Sequence, residues 1–342
     1  MADEQRTEEA PTRVSAGGQD RGLPRSKLGL NIGQNGSASL FTVLVALAVN
    51  VLVAVAKSVA AAITSSASLT AEAAHSWADA GNEVFLLLAN RRAVRAPDRA
   101  HPLGHGREAY VWSLFAALGL FVAGGAVSIT HGVNELRAPS PAEHFAVGYV
   151  VLGISAVLEG TSFLRSVRQA TPEAEALQRD LIEHMMVTSD PTLRAVFVED
   201  ASALLGLLLA AVGLAAHQLT GSVTPDAIGS ILIGLLLVVV AVLLINRNRQ
   251  FLVGEEADPR VRRAVLQALL DLPQVQRVTY LRLEVVGPRS ISVIGDVDLV
   301  GDDIEPSVAV KLRALEALIS ASPAVAGTVL SLSAPDEPSL RI

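Results

Sequence analysis

The stretch Ala71–Asn90, AEAAHSWADAGNEVFLLLAN, places ionisable side chains within a segment that is long enough to cross a membrane. His75 and Asp79 are four residues apart, so on a helix they lie on the same side. A hydrocarbon core about 30 Å thick needs roughly 20 helical residues, and an acid at its centre costs roughly 2.5–3.5 kcal/mol on insertion scales. The polar side of this helix must therefore face a cavity or another helix, which makes it a candidate functional site.

The composition is that of a membrane protein. Of the 342 residues, 51% are hydrophobic, and the mean hydropathy is +0.44, which is high for a soluble enzyme. The sequence has no cysteine, which excludes disulfides, thiolate metal sites and cysteine nucleophiles. The net charge of −7 argues against a nucleic-acid partner.

Hydropathy predicts a bundle of six membrane-spanning helices in the lipid bilayer. The predicted spans are residues 40–64, 71–91, 109–136, 145–167, 195–217 and 226–246. The loops after spans two, four and six are rich in arginine, whereas the opposite loops contain only Arg137. Because short basic loops stay on the cytoplasmic side, both termini are expected in the cytoplasm, with the chain in the cell (inner) membrane.

The sequence divides into four predicted regions. Residues 1–37 read as a disordered polar tail, 38–250 as the all-α membrane domain, and 336–342 as a short C-terminal tail. In residues 251–335 the periodicity changes to helix, two alternating strands, helix and strand. This αββαβ order predicts a small cytosolic α+β domain of ferredoxin-like type, with helices on one face of a sheet.

A second polar site interrupts span five, where Glu199-Asp200 lies in an apolar run. Together with His75 and Asp79 it would present imidazole and carboxylates, a ligand set that suits Zn²⁺ and neighbouring divalent ions. The alternative is that these groups only satisfy each other between packed helices. The side chains expected to support this polar lining are Asn50, Lys57 and Asn82. By contrast, Glu72 and Glu83 are expected near the ends of the second helix, solvated and structural rather than ligating.

Two adjoining segments resemble the cation diffusion facilitator family of divalent-metal exporters. They are ASLTAEAAHSWADAGNEVFLLLANRRA, residues 67–93, and PDRAHPLGHGREAYVWSLFAA, residues 97–117. The resemblance covers about residues 38–335 and implies a transport site formed by the second and fifth helices. His75 and Asp79 match the second-helix half of that site, and Asp200 matches the aspartate of the fifth helix.

The fifth helix departs from the main pattern of the family. Val196 stands where the usual histidine would be, and Glu199 lies next to Asp200 instead. This arrangement resembles the subgroup that carries Glu-Asp here, the mitochondrial type of zinc transporter. Zn²⁺ is the expected ion, although a site richer in oxygen also suits Mn²⁺, Co²⁺ or Fe²⁺. Whether Glu199 or water takes the place of the histidine is left open.

The loop after the second helix contains Asp98, His101 and His105. Their spacing resembles a peripheral metal site of the family, with solvated loop residues as the alternative. The C-terminal domain has no histidine, since the last one in the chain is His217. By resemblance this domain is expected to form a homodimer, but not to act as a histidine-based metal sensor.

The expected function is proton-coupled efflux of divalent metal by alternating access. Metal binding requires deprotonated carboxylates and neutral imidazole, so it is linked to proton release. The competing hypothesis is a metal-responsive membrane scaffold or sensor without transport. An intramembrane hydrolase is disfavoured because the spans contain neither His-Glu-x-x-His nor Gly-x-Ser-x-Gly, so the protein is not expected to be an enzyme.

Overall fold

A computed structural model of the chain describes residues 40–139 and 143–341. The tail predicted at residues 1–37 lies outside the described residues. In the described residues, eight α-helices precede the C-terminal domain: α1 (Leu40–Thr64), α2 (Ala67–Ala93), α3 (Glu108–Gly119), α4 (Val127–Arg137), α5 (Phe145–Ala176), α6 (Leu181–Val187), α7 (Pro191–Thr220) and α8 (Thr224–Val253).

The membrane spans agree with the predicted bundle, with one qualification about the second. Five segments of the described chain are long and apolar enough to cross a membrane: Leu47–Thr64, Glu108–Arg137, Phe145–Ala176, Pro191–Thr220 and Thr224–Val253. Helix α2 has the length, with 27 residues, but not the apolar character. It begins four residues before the predicted limit because the Ser66 side chain caps it by accepting a hydrogen bond from the Leu69 N–H.

The third span is not a regular α-helix. A π-helical segment, Leu120–Ala126, separates α3 from α4 and contains two adjacent glycines. A Cβ atom at Gly125 would lie 2.8 Å from Val238 Cγ2 and 3.2 Å from the Gly234 carbonyl oxygen. The missing side chain therefore lets this segment approach the backbone of α8 closely.

Two helical segments were not predicted. Helix α5 continues to Ala176, nine residues beyond the predicted limit of 167, and the short helix α6 follows it. The limit of 250 for the membrane domain is also passed, since α8 ends at Val253. The end of α5 is more polar than the apolar spans, and α6 has only seven residues, which is why hydropathy detected neither.

The C-terminal domain has the predicted αββαβ order. Its elements are α9 (Pro259–Leu270), β1 (Val275–Gly287), β2 (Ser290–Leu299), α10 (Glu305–Ser320) and β3 (Val325–Leu332). The sheet order is β1-β2-β3, with β1 and β2 antiparallel and β2 and β3 parallel. Alternate apolar residues of the strands pack against both helices, with Val265, Val278, Val293 and Ile319 among the buried residues. The predicted α+β domain is confirmed.

The turn between β1 and β2 contacts one end of the membrane bundle. A Cβ atom at Gly287 would lie 2.7 Å from Gly106 Cα, in the loop before α3. The Arg289 N–H donates to Ser189 Oγ at 3.1 Å, and the Arg289 guanidinium lies 2.8 Å from Glu173 at the end of α5. We call this end of the bundle the domain side, and the opposite end, where α1 ends and α2 begins, the far side.

Candidate metal centre

A cavity of about 450 Å³ lies among α1, α2, α5 and α7. Its polar lining includes Asp79, Asn82, Glu83, Glu159, Glu199 and Asp200. Glu199 and Asp200 lie in the half of α7 nearer the domain side, whereas Asp79 and Glu159 lie near the middle of α2 and α5. Acids from α2 and α7, separated by about 120 residues in the sequence, therefore face one space.

Helix α2 supplies an imidazole and a carboxylate that contact each other. His75 Nε2 lies 3.3 Å from Asp79 Oδ1, as the spacing of four residues predicts. His75 is only 1% exposed and forms no hydrogen bond through either ring nitrogen. Asp79 lines the cavity, whereas His75 lies behind it, one turn towards the far side.

Helix α7 supplies both of its adjacent acids to the cavity. The Asn82 side chain donates a hydrogen bond to Glu199 Oε2, while Glu199 Oε1 is buried without a hydrogen-bond partner. The Ser162 hydroxyl donates to Asp200 Oδ2 at 2.8 Å. Although the two acids point about 100° apart around the helix, the cavity is wide enough to include both.

Besides Asn82, which binds Glu199, the other two predicted supporting residues also pair with acids. Asn50 Nδ2 donates to Glu83 Oε2 at 3.1 Å. Lys57 Nζ lies 3.0 Å from Glu72 Oε2, and these side chains are 1% and 0% exposed. The expectation that Glu72 is solvated near a helix end is therefore wrong: α1 packs over this turn of α2 and buries the pair. Its expected structural role agrees with the ion pair.

The ligands of α2 and α7 do not form a closed coordination shell in this conformation. Residues 40–139 and 143–341 contain one group of three histidine or acidic side chains whose ligand atoms all lie within 4.8 Å of one another. That group lies in the loop after α2. The space between Asp79 and Asp200 therefore has room for water or a hydrated ion.

The loop group comprises Asp98, His101 and His105. His101 Nδ1 and His105 Nε2 each lie 3.1 Å from a different oxygen of Asp98. The backbone N–H of His101, followed by the His105 ring, lowers the pKa of Asp98 to about 2. Asp98 and His101 are about half exposed and His105 is buried, so the group is accessible from the domain side. One carboxylate and two imidazoles are a ligand set that suits zinc.

Helix α5 contributes residues that were missed from the sequence. Glu159 and Ser162 both line the cavity, one turn apart on α5. Acids in an apolar span were the signal used for α2 and α7, and Glu159 in "AVLEGTSF" is also an acid in an apolar span. It was missed because no histidine or second acid stands beside it.

On the far side of the bundle, the buried acid Asp226 is surrounded by hydrogen-bond donors. Asp226, in the first turn of α8, accepts hydrogen bonds from Ser66 Oγ at 3.0 Å and from the Ala67 N–H at 2.6 Å. The Ser68 hydroxyl also donates to Asp226. This carboxylate therefore holds the beginning of α2 against the beginning of α8.

Comparison with known proteins agrees with this architecture. The family model for the cation efflux transmembrane domain matches residues 43–253. Metal tolerance protein C4 of Arabidopsis thaliana is 35% identical over 277 residues, which is 81% of this chain and 61% of the relative. The mitochondrial proton-coupled zinc antiporter SLC30A9 of Homo sapiens is 31% identical over 259 residues, 76% of this chain and 46% of the relative.

A third relative is more distant. Manganese efflux system protein MneP of Bacillus subtilis is 22% identical over 240 residues, which is 70% of this chain and 77% of the relative. The chain thus spans between about half and three fifths of the length of the plant and human relatives. Since the family match covers more than half of the chain and coincides with the helical bundle, the protein belongs to the cation efflux family of multi-pass membrane proteins.

Proposed function

We propose that this protein exports divalent cations, with Zn²⁺ as the preferred ion, in exchange for protons. The observation that carries the proposal is the single cavity shared by Asp79 of α2 and Glu199 and Asp200 of α7. Placing acids within an apolar bundle costs free energy, and a bound cargo ion explains their presence better than helix packing does. The α2 and α7 acids would hold the ion, and His75 would reach it past Asp79.

Proton coupling follows from the chemistry of the ligands. Carboxylates and imidazole bind metal only in their deprotonated forms, so loading of the cation releases protons and unloading takes them up. His75 and Asp79 lie 3.3 Å apart, so a proton held between them competes directly with the ion. The name of the human relative, a proton-coupled zinc antiporter, supports both the coupling and the choice of zinc. The oxygen-rich lining and the name of the manganese relative support Mn²⁺ as the alternative cargo.

The proposed direction of transport is out of the cytoplasm. The arginine-rich loops lie on the domain side, which makes that side and both termini cytoplasmic, with the cell membrane as the location. The cavity extends from the middle of the bundle towards that side, which supports loading from the cytoplasm in this conformation. Alternating access would then open the far side and close the domain side.

Two further parts of the proposal concern the cytoplasmic surface. Asp98, His101 and His105 would bind a second cation near the cavity mouth. The C-terminal domain would form a homodimer, since its strands expose Tyr280, Val329 and Leu332, each more than 40% accessible. Sedimentation equilibrium in detergent tests the dimer, and a monomeric protein at micromolar concentration would contradict it.

Flux into proteoliposomes tests the transport proposal. We expect Zn²⁺ movement driven by a pH gradient, lost in Asp79→Asn and Asp200→Asn, because each amide removes a charge without changing the side-chain shape. Asp302→Asn is the control, since Asp302 is an exposed carboxylate of the C-terminal domain. Unchanged flux in both cavity variants would overturn the proposal.

A further inference from the structure

We infer that Glu159 of α5 is a further ligand of the transported cation, so that the site is built from three helices instead of two. This inference rests on the proposed function and deepens it. It concerns a carboxylate that faces the same cavity as Asp79 and Asp200.

The position of Glu159 is fixed by its neighbour one turn along α5. Glu159 and Ser162 are three residues apart and therefore share a side of the helix. The Ser162 hydroxyl donates to Asp200 Oδ2 at 2.8 Å, which holds this side of α5 against α7. Glu159 consequently lines the same cavity as Asp200, one turn of α5 away from the serine that binds Asp200.

Glu159 differs from Glu72 and Glu83 in that its carboxylate is not bound to another side chain in the described residues. Glu72 is bound by Lys57 at 3.0 Å, and Glu83 accepts from Asn50 at 3.1 Å. Within the described part of the chain, the carboxylate of Glu159 makes neither a hydrogen bond nor an ion pair.

A second acid oxygen at the same cavity is also unsatisfied. Glu199 is 8% exposed and lines the cavity, and its Oε1 is buried without a hydrogen-bond partner. An acid oxygen without a partner in a mostly apolar bundle is expensive. A divalent cation in the cavity would satisfy this oxygen and the Glu159 carboxylate together, and structural packing explains neither.

A further carboxylate also defines the chemistry of the site. With His75, Asp79, Glu199 and Asp200, Glu159 would give one nitrogen and four carboxylate ligands. Such a set accepts Zn²⁺ but also favours harder ions such as Mn²⁺ more than a site with two imidazoles does. Replacing Glu159 by histidine should therefore keep binding and move the preference towards Zn²⁺.

The test is metal binding to the full-length protein in detergent micelles, measured by calorimetry. All variants carry His101→Ala and His105→Ala, so that binding at the loop does not contribute. We expect Glu159→Gln to raise the Kd for Zn²⁺ at least about tenfold. This is the lower end of the loss in affinity that results from altering a group around a bound metal. Glu175→Gln is the matched control, because Glu175 lies on the same helix, exposed and beyond the cavity.

Glu159→His provides a second readout that does not depend on loss of binding. It should bind Zn²⁺ while increasing the ratio of Zn²⁺ to Mn²⁺ affinity over that of the starting protein. If Glu159→Gln and Glu159→His both bind the two ions like the control, while Asp79→Asn has lost binding, the inference is wrong and the proposed function stands. If the starting protein neither binds Zn²⁺ nor moves it in proteoliposomes, the proposed function fails as well.

Discussion

Glu72 and Asp79 lie about two turns apart on α2, yet their surroundings are opposite. In the far half of the bundle, Glu72 is buried against Lys57, and Asp226 is enclosed by Ser66, Ala67 and Ser68. Nearer the domain side, Asp79 faces an open cavity. Glu72 and Asp226 are thus held by a cation or by several donors, although Glu72 Oε1 has no hydrogen-bond partner, whereas Asp79 borders open space.

This difference separates acids that hold the bundle together from acids that would be available to the proposed cargo. A buried carboxylate that already contacts a cation or several donors gains less from a further cation than one that faces a polar cavity. In the proposed transport cycle, the far half is therefore the closed end of the pathway in this conformation. The comparison predicts that the two groups of acids respond oppositely to substitution.

The largest expected effect is on the far half. Lys57→Met leaves the Glu72 carboxylate buried without its cation, which should lower the free energy of unfolding by roughly 3–5 kcal/mol. The measurement is thermal unfolding of the protein in detergent. The double variant Lys57→Met, Glu72→Leu is the control, and it should recover most of the loss because no charge remains buried. A single variant as stable as the starting protein would show that the pair does not hold α1 to α2.

A smaller effect is expected from crowding the same pair. A Cβ atom at Gly206 of α7 would overlap Glu72 Oε1, so Gly206→Ala has to displace this carboxylate from Lys57. We expect a loss of about 1–3 kcal/mol in the free energy of unfolding. Gly153→Ala is the matched control, since a Cβ there meets no atom within 4 Å. Equal stabilities of the two variants would contradict the tight packing around Glu72.

The smallest effect on stability is expected in the domain-side half. Asp200→Asn keeps an oxygen that can accept from Ser162 and removes a charge that has no cation in contact with it. The free energy of unfolding should stay within about 0.5 kcal/mol of the starting value or rise, even though transport is lost. Parallel unfolding and flux measurements check this separation. A loss of stability as large as that of Lys57→Met would remove the distinction between the two halves.

Much of the fold was predictable because membrane burial imposes simple patterns. Long apolar segments and arginine-rich loops indicated the bundle, and a change to alternating periodicity indicated the αββαβ domain. Hydropathy and periodicity failed to predict three segments of the bundle. The end of α5 is helical but polar, α6 is too short to register as a span, and the π-helical segment depends on close packing against α8.

The candidate site was predictable only in part. His75, Asp79, Glu199 and Asp200 were singled out because acids and imidazole are rare in apolar spans. Glu159 is also an acid in an apolar span, but no other acid or histidine lies beside it. Whether it faces the cavity depends on how α5 is rotated about its axis. That rotation follows from the Ser162 hydrogen bond to Asp200, which joins side chains 38 residues apart.

The sequence by itself determined which helices carry ionisable groups and that an αββαβ domain follows them, since hydropathy and periodicity are local properties of the chain. The tertiary structure decided which acids are paired and which face the cavity. Glu72, Glu159 and Glu199 are the same residue type in similar apolar runs, and only their neighbours on other helices distinguish them. Those neighbours come from distant parts of the chain, so the pairing is a property of packing and not of the local sequence.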